Sequence, residues 1–147
     1  MATSRYYICT ACSDRQWVPR LFDALRCQAS TTLPPCDVCG QPTYLELRFQ
    51  FGLDAGDHPC KVLAAFLPKT PATWRQEADN SNVEFFPFLV IVESLEEGYK
   101  SIWLPYWHLV TYPDETVKTK YGQWAPFIAA DLYQSMTEQA RAAGFDV

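Results

Sequence analysis

Cys9 and Cys12 stand two residues apart in "YICTACSDRQW", and Cys36 and Cys39 repeat that spacing in "PPCDVCGQP". Cysteine pairs of this kind hold a metal, exchange electrons or form disulfides. The full pattern is Cys-x2-Cys, 23 intervening residues, then Cys-x2-Cys-Gly, close to the two-knuckle arrangement of a four-thiolate zinc site. Two residues between cysteines let one tight turn aim both sulfurs at a single cation, and Gly40 can take the positive φ that closes the second turn. A redox site needs one such pair at the start of a helix, whose N-terminus lowers a thiol pKa; here there are two pairs and neither opens a clear helix. Disulfides need an oxidising compartment and leave the repeated spacing unexplained. The spacing points to one structural Zn2+ held by Cys9, Cys12, Cys36 and Cys39, with redox and disulfide chemistry as the alternatives. Four thiolates leave no coordination position for water, so the ion would organise the chain and carry out no chemistry of its own.

The stretch "YYICTACSDRQWVPRLFDALRCQASTTLPPCDVCGQP" resembles the zinc-ribbon modules of the FmdB type. Both have an aromatic before the first knuckle, an aromatic and hydroxyl-rich middle, a Pro or Leu lead-in and a Cys-x2-Cys-Gly knuckle. The resemblance spans about 40 residues. It implies a metal on the same four cysteines, a small antiparallel ribbon and membership of a family credited with a regulatory role. Within it, "WVPRLFDALRCQA" has the pattern of a helical turn, and the long remainder of the chain has no counterpart in the short members of that family.

The elements that must carry these residues follow from periodicity. In "TYLELRFQF", Leu45, Leu47, Phe49 and Phe51 alternate with Tyr44, Glu46, Arg48 and Gln50, the pattern of a half-buried strand. It starts directly after the second knuckle, so the ribbon continues into the rest without a flexible linker. Asp57, His58 and Pro59 read as a turn, "KVLAAFL" as a short strand or helical turn, and "PKTPATWRQEADNSN" as an exposed loop with at most one helical turn around Trp74. "VEFFPFLVIVES", the turn "LEEGY" and "KSIWLPYWHLVTY" form an antiparallel hairpin, in which Pro87 and Pro105, lacking a ladder donor, mark an edge or bulge. Leu132, Met136, Ala140 and Ala143 recur at helical spacing between Asp131 and the stop at Gly144, which predicts a C-terminal amphipathic helix packed on the sheet.

The expected fold is therefore α+β, with a zinc ribbon over residues 1–48 and an antiparallel α+β domain with a C-terminal helix over 49–147. With 48% hydrophobic and 20% charged residues in 147, the chain can bury a core. The longest apolar run, Phe85 to Val92, ends at Glu93, well short of the roughly 20 residues of a membrane span. The start of the chain shows no charged, apolar and small-residue leader, so a cytoplasmic location is expected. Residues 1–48 carry five Arg against four acids and residues 49–147 carry seven bases against thirteen acids. The net charge of -5 gives no long-range attraction to nucleic acid.

Candidate recognition residues cluster late in the chain: Trp103, Tyr106, Trp107, Lys118, Lys120, Tyr121 and Trp124. Some of these rings must be core, yet alternation cannot hide both Tyr106 and Trp107, so an aromatic surface for a partner competes with inter-module packing. Lys118 and Lys120 beside Tyr121 and Trp124 offer charge and stacking to single-stranded nucleic acid, although Asp114 and Glu115 partly offset them and a solvated loop before the terminal helix is the preferred reading of the stretch. Cys60 with His58, and His108 at a distance, is the nearest approach to a thiol catalyst or second metal site; a buried thiol and loop histidines explain the same residues, as they do Cys27. No nucleophile elbow, phosphate-cradling glycine loop or His-Glu-x-x-His helix is present. The expected function is non-enzymatic, an interaction or regulatory module for another protein; a nucleic-acid accessory factor and a small enzyme near His58 and Cys60 are the other readings.

Overall fold

Period-two apolar patterning dominates this sequence, and the chain pairs almost all of it into antiparallel sheet. The computed structural model describes residues 2–50, 56–122 and 125–147. A seven-stranded sheet is built in the order β11 (Phe127–Ala129), β8 (Lys100–Trp103), β7 (Leu89–Ser94), β4 (His58–Phe66), β3 (Thr43–Phe49), β1 (Ala2–Cys9) and β2 (Arg15–Trp17). A four-stranded sheet runs β10 (Val117–Tyr121), β9 (Tyr106–Thr111), β6 (Ser81–Pro87) and β5 (Ala72–Gln76). Among the described residues two helices accompany the sheets, α1 (Leu21–Ser30) and α2 (Ala130–Ala142). The fold is mixed and mostly antiparallel, with the four cysteines near the N-terminus and a helix at the end, as the sequence pattern implies. Neither helix is long and apolar enough to cross a membrane.

Leu45, Leu47 and Phe49 of β3 all face the core, as their alternation requires. Phe51 lies outside the described residues. On the opposite face a row of residues crosses six strands in register: Lys100, Glu93, Lys61, Glu46, Tyr6 and Trp17. Charges alternate in sign along it, the favourable arrangement for cross-strand neighbours. Glu46 is only 7% exposed, and Arg15 at 3.6 Å and Arg48 at 3.8 Å balance its charge. Arg15 lies over the Tyr6 ring at 4.4 Å and Lys61 over Tyr44 at 4.9 Å, so this face is closed by stacked cations.

The expected hairpin exists, but it bends. Its turn is closed by Gly98, whose φ is +76° and whose N–H donates to the Ser94 carbonyl at 2.8 Å. Near the turn β7 pairs with β8 in the seven-stranded sheet; beyond Pro87 and Pro105 the same two chains continue as β6 and β9 in the four-stranded sheet. At the corner the Phe88 N–H donates to the Pro105 carbonyl at 2.9 Å. Each proline removes a donor from the ladder, and the strands change sheet where the ladder is weakest. Phe88 then turns into the core and meets Phe22 and Trp107.

Three other expectations are corrected. The stretch expected as a loop around Trp74 contains β5, an edge strand paired with β6, and "VKTKY" is β10 at the opposite edge, paired with β9. Both are polar because their neighbours supply the pairing and water covers much of their surface. His58 and Pro59 open β4 instead of forming a turn, opposite Phe49 and Arg48; proline is tolerated as an early strand residue. Helix α2 has the expected extent, with Gly144 at φ +94° beyond its end. It contacts β8 and β11, yet buries none of its residues, and Leu132 and Met136 remain 57% and 51% exposed.

Gly122 follows β10 where the backbone passes against Tyr106, and its N–H donates to the Tyr106 carbonyl at 2.8 Å. A Cβ there would lie 2.1 Å from the Cε2 and Cζ atoms of Tyr106, well inside contact distance. Gly122→Ala should therefore destabilise the protein by about 1–3 kcal/mol, the usual cost of overpacking, read as a lower urea midpoint with an unchanged slope.

Candidate metal centre

The antiparallel pairing of β1 and β3 brings the four sulfurs together. Cys9 is the last residue of β1 and stands opposite Thr43, the first residue of β3. The first knuckle follows β1 and the second precedes β3, so both leave the same end of one strand pair. Between them the chain runs out through β2 and returns through α1, which anchors Phe22, Ala24 and Leu25 in the core. The middle of the motif is thus a ten-residue helix, longer than the single turn its sequence pattern implied, and it is held by packing on the sheet.

Backbone hydrogen bonds shape each knuckle. The Cys9 N–H donates to the Asp14 carbonyl at 3.0 Å, the Cys36 N–H to Gln41 at 2.9 Å and the Gly40 N–H to Cys36 at 2.8 Å. Gly40 takes φ +73°, the left-handed conformation for which glycine was expected there. Ser13 adopts φ +60° in the first knuckle without that freedom. Thr10 fastens the two loops through its hydroxyl, which donates to the Pro42 carbonyl at 2.8 Å. The Gln16 amide adds a second tie by donating to the Asp37 carboxylate.

All four Sγ atoms lie within 4.8 Å of one another. Two of the separations cross between knuckles: Cys9 to Cys39 at 3.4 Å and Cys12 to Cys36 at 3.6 Å. A tetrahedron of sulfurs about 2.3 Å from a central ion has edges of about 3.8 Å, whereas a disulfide bond measures about 2.05 Å. All four are free thiols, and their geometry matches the tetrahedron. Outer support is present as well. The N–H groups of Ala11 and Cys12 point at the Cys9 sulfur at 3.3 and 3.4 Å, and the Val38 N–H points at the Cys36 sulfur at 3.4 Å. Such donors spread the negative charge of a thiolate. The group can hold a metal ion.

With protons in place of a cation the sulfurs titrate unequally. The Cys12 N–H, helped by Ala11, draws the Cys9 thiol down to about 6 against the opposing effect of desolvation. Cys12 receives a hydrogen bond from the Asp14 backbone that lowers it, but the adjoining Cys9 sulfur and desolvation outweigh that and push it up to about 12. Cys39 is raised in the same way, the Gln41 backbone opposing the Cys9 sulfur. One sulfur ionises readily and then disfavours ionisation of its neighbours. A cation in their midst offsets that repulsion.

The other candidate residues do not converge on this group. Cys27 sits in α1, with its thiol donating to the Thr32 carbonyl at 3.0 Å. Cys60 is buried in β4 opposite Leu47, its thiol donating to the His58 carbonyl at 3.7 Å. Burial pushes that thiol up to about 11, so it is neutral at physiological pH and unsuited to nucleophilic attack. His58 opens β4 in one sheet, whereas His108 belongs to β9 in the other. Among the described residues only the four cysteines gather as metal ligands.

Trp103 and Trp107, at 1% and 6% exposure, are core residues. Both point inward because strand register places them there: Trp103 opposite Val90 against Phe49, and Trp107 opposite Phe86 against Phe22. Such burial leaves Trp103 and Trp107 almost no outer surface to offer a protein partner. Tyr106 and Tyr121 are half-buried, Lys118 and Lys120 are exposed on β10, and Trp124 lies outside the described residues. Sequence reasoning passed over Trp74 and Phe85. Their rings, with Tyr106 and His108, line the face of the four-stranded sheet that points away from Phe86 and Trp107, at centroid separations from 5.3 to 6.4 Å. Beside them lies a cleft of about 280 Å³ floored by Val83 and Val110 and edged by Lys120. The signal was the alternating aromatic pattern of "VEFF" combined with a Trp in a stretch too polar to read as strand.

Comparison of the chain with known protein families, with curated protein sequences and with solved structures finds no match.

Because Cys12 and Cys39 still hold protons at neutral pH, metal uptake there should release at least these two protons per ion. Addition of metal to the chelated protein in weak buffer at pH 7 measures this directly, and release from this pair should begin to shrink only above the ordinary thiol pKa of 9.0, as first Cys39 and then Cys12 lose their protons. Cys36→Ser should reduce metal affinity by more than the roughly 10- to 100-fold that outer-sphere partners contribute, measured by competition with a chromogenic chelator.

Proposed function

We propose that this protein is a zinc-holding, non-enzymatic interaction module in which the ion shapes the first third and the four-stranded sheet presents an aromatic face to another protein. Zinc suits four thiolates at tetrahedral spacing, since the ion has no geometric preference of its own and binds Cys sulfur at about 2.3 Å. Coordination is then complete, so the ion contributes stability and no catalysis. Free thiols at this density fit a reducing compartment such as the cytoplasm. In this reading the first module is a zinc ribbon of the FmdB type with a helix inserted between its knuckles, and regulation through partner binding is its role.

The observation that carries the partner reading is the outward face of Trp74, Phe85, Tyr106 and His108. Trp74 is 44% exposed, and apolar rings concentrated on a solvent-facing sheet surface mark interaction sites. A protein suits this face better than a polyanion. Lys118 is stacked over Tyr112 at 5.6 Å and attracts Asp114, and Lys120 attracts Asp79, so both cations are accompanied by acids. A mixed-sign rim around an aromatic centre is the usual anatomy of a protein interface.

Capture from native lysate with the wild-type chain and with Trp74→Ala tests the reading. Trp74 lies on an edge strand, so the variant should keep its metal content and circular dichroism. A protein retained by the wild type and at least about tenfold depleted with the variant supports the proposal. Identical capture by the two chains contradicts it, as does salt-sensitive binding to single-stranded DNA or RNA that disappears with Lys118→Glu and Lys120→Glu.

A further inference from the structure

The opposite face of the four-stranded sheet meets α1 and β1 around a cavity of about 520 Å³, within the roughly 300–1,000 Å³ of small-molecule sites. Arg5, Arg20, Phe22, Trp107, Thr119 and Tyr121 line it. Among the described residues the charged ones lining it are the two arginines, although the chain as a whole carries -5. Among the described residues no carboxylate lies within ion-pair distance of either guanidinium.

Arg5 is out of place by the logic of its strand. It stands in register with Leu47, on the face of β1 that looks into the core, where alternation calls for an apolar side chain. Its Nε donates to the Val18 carbonyl at 2.8 Å and one Nη to Pro19 at 3.2 Å. These bonds, with the Trp17 ring 5.0 Å from the guanidinium carbon, hold a side chain that lines the cavity and use two of its five N–H donors. Arg20 is exposed at the mouth. Apolar walls stand opposite: the Phe22 and Trp107 centroids are 5.6 Å apart, and those of Trp107 and Tyr121 are 5.1 Å apart. A preset arginine, a second at the entrance and three aromatic rings form a site with one polar anchor and an apolar body.

We propose that this cavity binds a small organic anion, its carboxylate or phosphate held by Arg5 and Arg20 and its aromatic or apolar body lodged against Phe22, Trp107 and Tyr121. The site lies across the sheet from the Trp74 face and away from the cysteine cluster. Its occupancy is independent of the partner reading, and either can fail without the other.

The test is calorimetric titration of the full, metal-loaded chain with 1-naphthoate, with 1-naphthyl phosphate, and with neutral 1-naphthamide. At least one of the two anions should bind with one-to-one stoichiometry and a Kd below about 1 mM, and the amide at least about tenfold more weakly. Whichever anion binds tells whether carboxylate or phosphate is preferred. Arg20→Gln should weaken the anion by about tenfold or more and leave the amide unchanged. Thr119→Trp, on an exposed edge strand, should fill the cavity and abolish binding of both. Equal affinity for acid and amide, binding of the anion that survives either substitution, or no binding of either anion up to about 5 mM would overturn the proposal.

Discussion

Four sulfurs that repel one another when charged are held at tetrahedral spacing at one end of a single strand pair. That constraint organises the first third of the molecule. β1 and β3 lie inside the seven-stranded sheet, so the knuckles clamp strands that are themselves hydrogen-bonded on both sides. With both ends of the intervening chain fixed, α1 returns across the sheet and supplies Phe22 and Leu25 to the common core. The binding free energy of such an ion, about 10–16 kcal/mol in zinc-finger peptides, is on the scale of the entire stability of a domain. An ion bound there would act in series with the core: it would close the loop that carries α1, and α1 packs at the corner between the two sheets through Phe22.

That corner links structure to surface. The β6–β9 ladder leaves the first sheet at Pro87 and Pro105 and forms a second sheet with two differently used faces. Phe86 and Trp107 turn toward Phe22, and the space left beside them becomes the arginine-lined cavity. Phe85 and His108, each one residue away, turn outward and meet Trp74. Alternation along two strands thus separates an internal cavity from an external aromatic face by the thickness of a sheet.

Legibility in the sequence followed the range of the interactions involved. The knuckles could be read because turn geometry and ligand spacing are local, and β3 because its alternation is unbroken from Tyr44 to Phe49. Helix α2 could be delimited from Asp131 and Gly144, but its docking could not, since contact with β8 and β11 depends on strand order. The bend at Phe88 was hidden because an apolar run shows burial and not direction. β5 and β10 were hidden because edge strands take their stability from a neighbour and can afford a polar composition. For the cluster itself, only the approach of Cys9 to Cys39 and Cys12 to Cys36 across knuckles needed the three-dimensional pairing of β1 with β3.

X-ray absorption at the zinc edge of protein purified without added metal tests the central claim most directly. Four sulfur scatterers at about 2.3 Å, with no nitrogen or oxygen in the first shell, are the result required of a closed thiolate site. A shell containing light atoms, or protein that is folded and carries no metal while its sulfurs sit about 2.05 Å apart as disulfides, would contradict it.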